Sequence, residues 1–171
     1  MADSSTPISD AEAPPQRGSL HEALSVFLGD WRAEGSSYGS PDQDPDDPKG
    51  KPEAWTSTHT AHWHTGEFFL IQDERAIVGG KAFDTLGYMG VDPATGRYFS
   101  QSIENHGFER RYEMSVNGNV WKMSGEHERA TITFSQDGRT QDIKWEWKPS
   151  GVWLPLCDRT AHRIVSGQAR A

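Results

Sequence analysis

Apolar and polar residues alternate with period two over most of this chain. In "TQDIKWEWK", Ile143, Trp145 and Trp147 share one face of an extended segment, and Asp142, Lys144, Glu146 and Lys148 share the other. In "ERATITF", Ala130, Ile132 and Phe134 oppose Arg129, Thr131 and Thr133. In "FERRYEMSV", Arg110, Tyr112, Met114 and Val116 oppose Arg111, Glu113 and Ser115. The pattern predicts strands over 30–38, 54–65, 67–78, 82–92, 97–105, 108–117, 119–126, 128–136, 140–148 and 152–165. The breaks carry turn residues: Thr65-Gly66, Gly79-Gly80, "DPATG" at 92–96, "VNGN" at 116–119, "QDG" at 136–138 and "PSG" at 149–151. "YEMSVNGNVWKMSG" is the clearest hairpin, with Asn117-Gly118 as its expected turn pair. Helical spacing occurs only ahead of the strands. Leu20, Ala23, Leu24 and Phe27 recur every three or four residues, Ser19 can cap with Glu22 as capping-box partner, and Gly29 stops the segment. One-sided burial in about ten short strands implies an all-β fold. The expectation is an antiparallel up-and-down barrel with a short N-terminal helix, because closure removes exposed edges.

Two stretches stand outside this pattern. "MADSSTPISDAEAPPQRG" has the composition of a disordered tail. "GSPDQDPDDPKGKPE", 39–53, is too rich in proline and acid for a strand or helix, and reads as a long mobile loop between the first two strands. The domain reading is a tail over 1–18, one barrel domain over 19–166 and a short tail over 167–171. At 171 residues the chain suits one domain. Only 34% of residues are hydrophobic and the mean hydropathy is -0.76, so a large dry core is not expected. Seven Trp must then supply much of the core. The net charge of -8 disfavours nucleic acid as a partner. No apolar run approaches the ~20 residues of a membrane span. The N-terminus lacks the apolar core of a secretory signal, so a cytoplasmic protein is expected. One cysteine, Cys157, allows no internal disulfide and no cysteine cluster for a metal. Flanked by apolar residues, it reads as inert core more readily than as a nucleophile.

Candidate chemistry concentrates in "TSTHTAHWHTGEFFLIQDE", 56–74. Thr56, Thr58, Thr60, His62 and His64 share one face, and Ser57, His59, Ala61 and Trp63 the other. His62 and His64 would stand roughly 6.5–7 Å apart, a spacing that can chelate a metal or set a base beside a donor. Two exposed histidines on a polar face are the plainer reading, and no third ligand is near, so no metal site is expected. A pair that binds a ligand without metal lies between those readings. On the next strand Gln72 and Glu74 are in phase with Phe68 and Leu70, while Asp73 and Arg75 are in phase with Phe69 and Ile71. Periodicity leaves open which pair faces inward. "SQSIENHG" sets Ser102, Glu104 and His106 in phase, and a Glu-His pair can do acid-base work. A solvated face near a turn explains it equally well. There is no phosphate-cradling glycine loop and no G-x-S-x-G nucleophile.

"LGDWRAEG", 28–35, gives the chain a resemblance. A short helix leading into Gly-x-Trp on the first strand, then a meander of strands, resembles the calycin superfamily of lipocalins, fatty-acid-binding proteins and nitrobindins. The resemblance implies that Trp31 packs across the barrel base under an Arg of the last strand, "WLPLCDRTAHRIV", so Arg159 or Arg163 would fill that role. "LGDWRAEG" and "HTGEFFLIQDE" are similar to nitrobindin stretches, with Ala33 in place of a glycine. "GGKAFDTLGYMGVDPATGRYFSQSIENHG", 79–107, and "SGVWLPLCDRTAHRI", 150–164, look more like a bacterial calycin-like family of unknown function. That likeness covers about residues 20–165. Nitrobindins bind haem b through a His near the C-terminal end of the barrel, which makes His162 the haem-ligand candidate. The 39–53 loop does not match the helical lid of fatty-acid-binding proteins.

The leading expectation is therefore a small-molecule binder with no cofactor. His62, His64, Gln72, Tyr88, Glu104, Tyr112 and Trp145 are its candidate ligand contacts, and Trp31, Arg159 and Arg163 its structural base. The alternatives are a haem protein acting on nitric oxide or peroxynitrite, and a cofactor-free isomerase or cyclase using a cavity histidine. A homodimer through a strand edge near residues 97–105 is a further expectation.

Overall fold

The computed structural model describes residues 14–165. Residues 1–13 and 166–171, which hold most of the expected N-terminal tail and the C-terminal tail, lie outside the described residues. Ten strands follow a short helix, α1 (Ser19–Ala23), and a 3₁₀ turn (Leu24–Phe27). They are β1 (Gly29–Ser37), β2 (Glu53–Trp63), β3 (Phe69–Val78), β4 (Lys81–Val91), β5 (Tyr98–Glu104), β6 (Glu109–Asn117), β7 (Val120–Ser124), β8 (Glu128–Phe134), β9 (Thr140–Trp147) and β10 (Leu154–Arg163). Each pairs antiparallel with its neighbours in sequence, and β10 returns to β1, closing the barrel. All ten strands expected from alternation are present. Closure also corrects the edge expected near 97–105: β5 is hydrogen-bonded to β4 and β6 along its length and offers no free edge.

Register decides what faces the interior. Residues directly opposite in an antiparallel pair lie on the same side of the sheet. Trp31 is fully buried and stands opposite Arg163 on one side and His59 on the other. His59 is opposite Glu74, Glu74 opposite Thr85, and Thr85 opposite Glu104. Once Trp31 faces in, His59, Glu74, Thr85 and Glu104 face in with it.

The helix and 3₁₀ turn plug one end of the barrel. Phe27 meets Trp121 and Phe134 edge-on, each at 5.1 Å between ring centres, and Trp31 donates its indole N–H to the Phe27 carbonyl at 3.0 Å. Leu24, Leu70, Met89 and Met114 complete this apolar floor. Two local expectations shift by one residue. Gly18, not Ser19, is the helix N-cap, which makes His21 the third helical residue; the Gly18 N–H bonds to His21 Nδ1 at 3.2 Å, and Glu22 pairs with Arg17 instead. In the β6–β7 hairpin Asn117 pairs with Val120, so the turn pair is Gly118-Asn119. Gly118 takes φ +59° in the first turn position, the left-handed region glycine tolerates, as a type II′ turn requires. The 39–52 connection is fastened to the barrel. Gln43 donates to the Pro155 carbonyl at 2.7 Å and accepts from the Trp147 indole at 2.6 Å, and Lys49 pairs with Asp158.

Candidate functional site: a polar belt inside the barrel

The barrel encloses a cavity of about 360 Å³. Its floor is the aromatic plug, and Trp55, Phe83, Trp145 and Leu156 line the region farther from the plug. Between them lies a belt of polar side chains, which the alternation of β2, β3, β9 and β10 turns inward.

At the centre of the belt is an ion pair. Arg159 donates to Glu74 Oε1 at 2.8 Å, and both residues are buried. Ser57 Oγ donates to the same oxygen at 2.7 Å and accepts from the Trp55 indole at 3.2 Å. The Arg159 guanidinium lies 4.3 Å from the Trp55 ring centre, so the arrangement closes on itself. Nearby, the His59 ring stacks on Trp31 at 5.9 Å and 14°. Burial depresses the His59 pKa to about 4; Glu74 opposes that shift and Arg159 reinforces it. His59 is therefore a neutral imidazole at neutral pH. Burial likewise pushes the Cys157 thiol up to about 11, which leaves it without thiolate reactivity at neutral pH.

A second cluster faces the first. Tyr112 donates to Glu128 Oε2 at 2.7 Å, and Arg110 pairs with Glu128 Oε1 at 3.0 Å. Burial, and then the Glu128 charge, raise the Tyr112 phenol above its usual range, so it serves as a neutral donor. Glu104 accepts from the His106 backbone N–H and bonds its ring Nδ1, both at 2.7 Å. Three buried polar atoms, His59 Nδ1, Gln141 Nε2 and Arg159 Nε, belong to residues that line the cavity and have no hydrogen-bond partner among the described residues.

Of the residues singled out from sequence, Gln72, Glu104, Tyr112 and Trp145 line this cavity. His62 and His64 do not. His62 stands opposite Ile71 on the outer face and is exposed, and His64 lies exposed beyond the end of β2. The inward face of β2 is the other one, Trp55-Ser57-His59-Ala61. Tyr88 borders the cavity, but its ring packs outside against Phe69 and Phe99 and its hydroxyl donates to Gln101 at 2.8 Å. Arg163 lies 4.3 Å over Trp31 and donates to the Val26 and Gly138 carbonyls at 3.1 Å, and also to that of Leu28. Arg159 is not part of the base: four residues back on the same face, it repeats the stacking on Trp55 at the level of the belt. His162 is exposed on the outer face opposite Arg32, so it cannot be an axial ligand inside the barrel. Of the described histidines only His59 lines the cavity, and Trp31 covers one face of its ring; these residues do not fit a haem site. The base proposed for an isomerase, His62 or His64, is likewise outside. Sequence reasoning passed over Ser57, His59, Gln141 and the Arg110–Glu128 pair. The register that sets Trp31 beside His59 turns Ser57 and His59 inward, while Arg110 and Gln141 share the inward phase of Tyr112 and Ile143.

A closed ten-stranded barrel, plugged by a short helix and pinned by an arginine over a tryptophan, is a calycin-like fold with an internal cavity. The chain belongs to the family described as "Protein of unknown function (DUF1579)", whose model matches residues 16–152. Its fold is similar to the crystal structure of Rv2717c from M. tuberculosis, with a TM-score of 0.63 at 17% identity, covering 88% of this chain and 100% of that one. It is also similar to the S-type phycobiliprotein lyase CPES from Guillardia theta, with a TM-score of 0.52 at 11% identity, covering 88% and 95%. No curated protein matches the sequence. No helix among the described residues is long and apolar enough to cross a membrane.

Proposed function

We propose that this protein binds one small molecule inside its barrel. The observation that carries this reading is the composition of the cavity wall. About 360 Å³ is bounded by apolar side chains such as Ile132, Ile143 and Met123, and is interrupted by a buried, oriented set of polar groups centred on Glu74 and Arg159. A packed core has no use for such groups, whereas small-molecule sites combine apolar walls with a few placed polar contacts. The fold likeness contributes the barrel and nothing about the ligand. The test is a titration with the uncharged fluorescent probe N-phenyl-1-naphthylamine. Its emission should rise and saturate at one probe per chain. Ile132→Trp, which fills the cavity from β8, should abolish that rise while leaving the circular dichroism of the barrel unchanged. A rise that never saturates, or one that survives Ile132→Trp, would overturn the proposal.

A further inference from the structure

Resting on that binding reading, we infer that the molecule taken up carries an ammonium group, which it presents to the Glu104 carboxylate at the end of the barrel away from the plug. β5 runs from Tyr98, which packs on Trp121 near the plug, to Glu104 at the far end. Glu104 stands opposite Thr85 on β4, and both residues line the cavity. The Glu104 side chain is only 8% exposed. Its Oε2 is engaged by His106, whose backbone N–H and ring Nδ1 both bond it at 2.7 Å. Its Oε1 has no hydrogen-bond partner among the described residues, yet it is not closed over as Arg159 Nε and Gln141 Nε2 are. A carboxylate oxygen only accepts, so Oε1 calls for a donor, and the inward register sets the cavity before it. The adjoining wall offers the same chemistry. Thr85 and Ser102 line the cavity beside Glu104, and neither hydroxyl has a partner among the described residues. Directly opposite residues hold their Cβ atoms about 4.5–5.5 Å apart, so Thr85 is the nearest further acceptor for an ammonium, which has three N–H donors. Phe83 borders the same end of the cavity, its ring 5.5 Å from that of His106. An aromatic ring beside a carboxylate favours a cation through both quadrupole and charge.

Charge selects the ammonium over other donors. The wall carries Glu53, Glu74, Glu104 and Glu128, and against them Arg110 and Arg159. Arg159 is matched by Glu74 at 2.8 Å, and Arg110 by Glu128 at 3.0 Å. His59 brings no positive charge at neutral pH, since burial holds its pKa near 4. Glu104 is left without an arginine or lysine of its own among the described residues. A carboxylate ligand would enter a site whose cations are spent, and an uncompensated buried charge is strongly disfavoured. An ammonium supplies the counter-charge that Glu104 lacks, in a charge-assisted hydrogen bond stronger than a neutral one. The rest of the ligand would lie against the apolar wall of Met123, Ile132 and Ile143.

Three probes of similar size test this by calorimetry on the full chain at neutral pH: 2-(2-naphthyl)ethylamine, 2-naphthylacetate and 2-ethylnaphthalene. The first is an ammonium, the second a carboxylate and the third uncharged. The amine should bind about tenfold more tightly than the hydrocarbon, the worth of one charge-assisted hydrogen bond, and the naphthylacetate more weakly than either. Glu104→Gln keeps the shape of the side chain and removes its charge, and should bring the amine down to the hydrocarbon's affinity. Should that variant lose the circular dichroism of the barrel, the rank order of the three probes on the native chain decides alone. Tightest binding by the naphthylacetate would overturn the inference in favour of an anion site. A preference for the amine that survives Glu104→Gln would also overturn it, because the charge would then be read elsewhere. If N-phenyl-1-naphthylamine binds and the amine gains nothing over the hydrocarbon, the inference falls and the binding reading stands. If none of the four binds, the binding reading falls and takes the inference with it.

Discussion

Glu74 holds the belt together through one oxygen, which accepts from Arg159 and Ser57 at once. The energetic consequence is asymmetric. Glu74→Leu leaves the Arg159 guanidinium buried without its counter-charge, which typically costs about 3–5 kcal/mol. Replacing both residues with apolar ones of similar volume removes the orphaned charge. Urea unfolding should therefore show Glu74→Leu far less stable than the double variant Glu74→Leu/Arg159→Met. If the double variant is the less stable of the two, the pair contributes net stability and the account is wrong. His59 supplies a second residue-scale effect, on pH. Its pKa is about 4 in the fold, against 6.5 for an ordinary histidine. Between those values the unfolded chain binds a proton that the folded one excludes, so stability is full above pH 6.5 and declines as pH falls toward 4. The loss amounts to roughly 3 kcal/mol by pH 4. His59→Gln should flatten that part of the stability profile; an unchanged slope would assign the decline to other groups.

At the scale of elements, Arg163 joins the last strand to the first turn of the chain. It stacks on Trp31 and donates to carbonyls of Val26, Leu28 and Gly138, so one side chain fastens the 3₁₀ turn, the β8–β9 turn and the floor. A lysine carries the charge but not the planar fork. Arg163→Lys should thus behave like Arg163→Met, each losing about 1–3 kcal/mol. Amide hydrogen exchange should quicken first over residues 24–28; full protection there in Arg163→Lys would show that charge alone suffices. The elements themselves were legible in sequence wherever a tight turn fixes register. All ten strands and the inward faces of β6, β8 and β9 follow from alternation. The face of β2 does not. Both of its faces are polar in the middle, and the 39–52 connection is too long to set the β1–β2 register by turn chemistry. The polar face carrying His62 and His64 therefore looked as good as the one carrying Ser57 and His59. In β10 the obstacle is a bulge between Pro155 and Cys157, which shifts the alternation between Leu154 and Arg159.

The whole molecule depends on the seam where β10 meets β1, since closure there both completes the cavity wall and removes the sheet edges. Gly35 lies in that seam between Arg159 on one side and Trp55 on the other, and those two side chains stack across it at 4.3 Å. A Cβ at Gly35 would lie 2.0 Å from the Asp158 carbonyl oxygen and 2.8 Å from the Arg159 Cα, so backbone rather than a flexible side chain would have to move. The glycine is needed for this close approach and not for its φ. Gly35→Ala should force β10 away from β1 at that point, lift Arg159 off Trp55, and cost about 1–3 kcal/mol or more. The damage should reach the cavity as well as the stability, because Arg159 is carried on the displaced strand. In Gly35→Ala, N-phenyl-1-naphthylamine should bind more weakly even at temperatures where the barrel remains folded by circular dichroism. The ring-stacking contribution of Trp55 to the near-ultraviolet signal should change with it. Native probe affinity in a folded Gly35→Ala protein would mean that the seam and the belt are independent, and that closure shapes the barrel without positioning its polar groups.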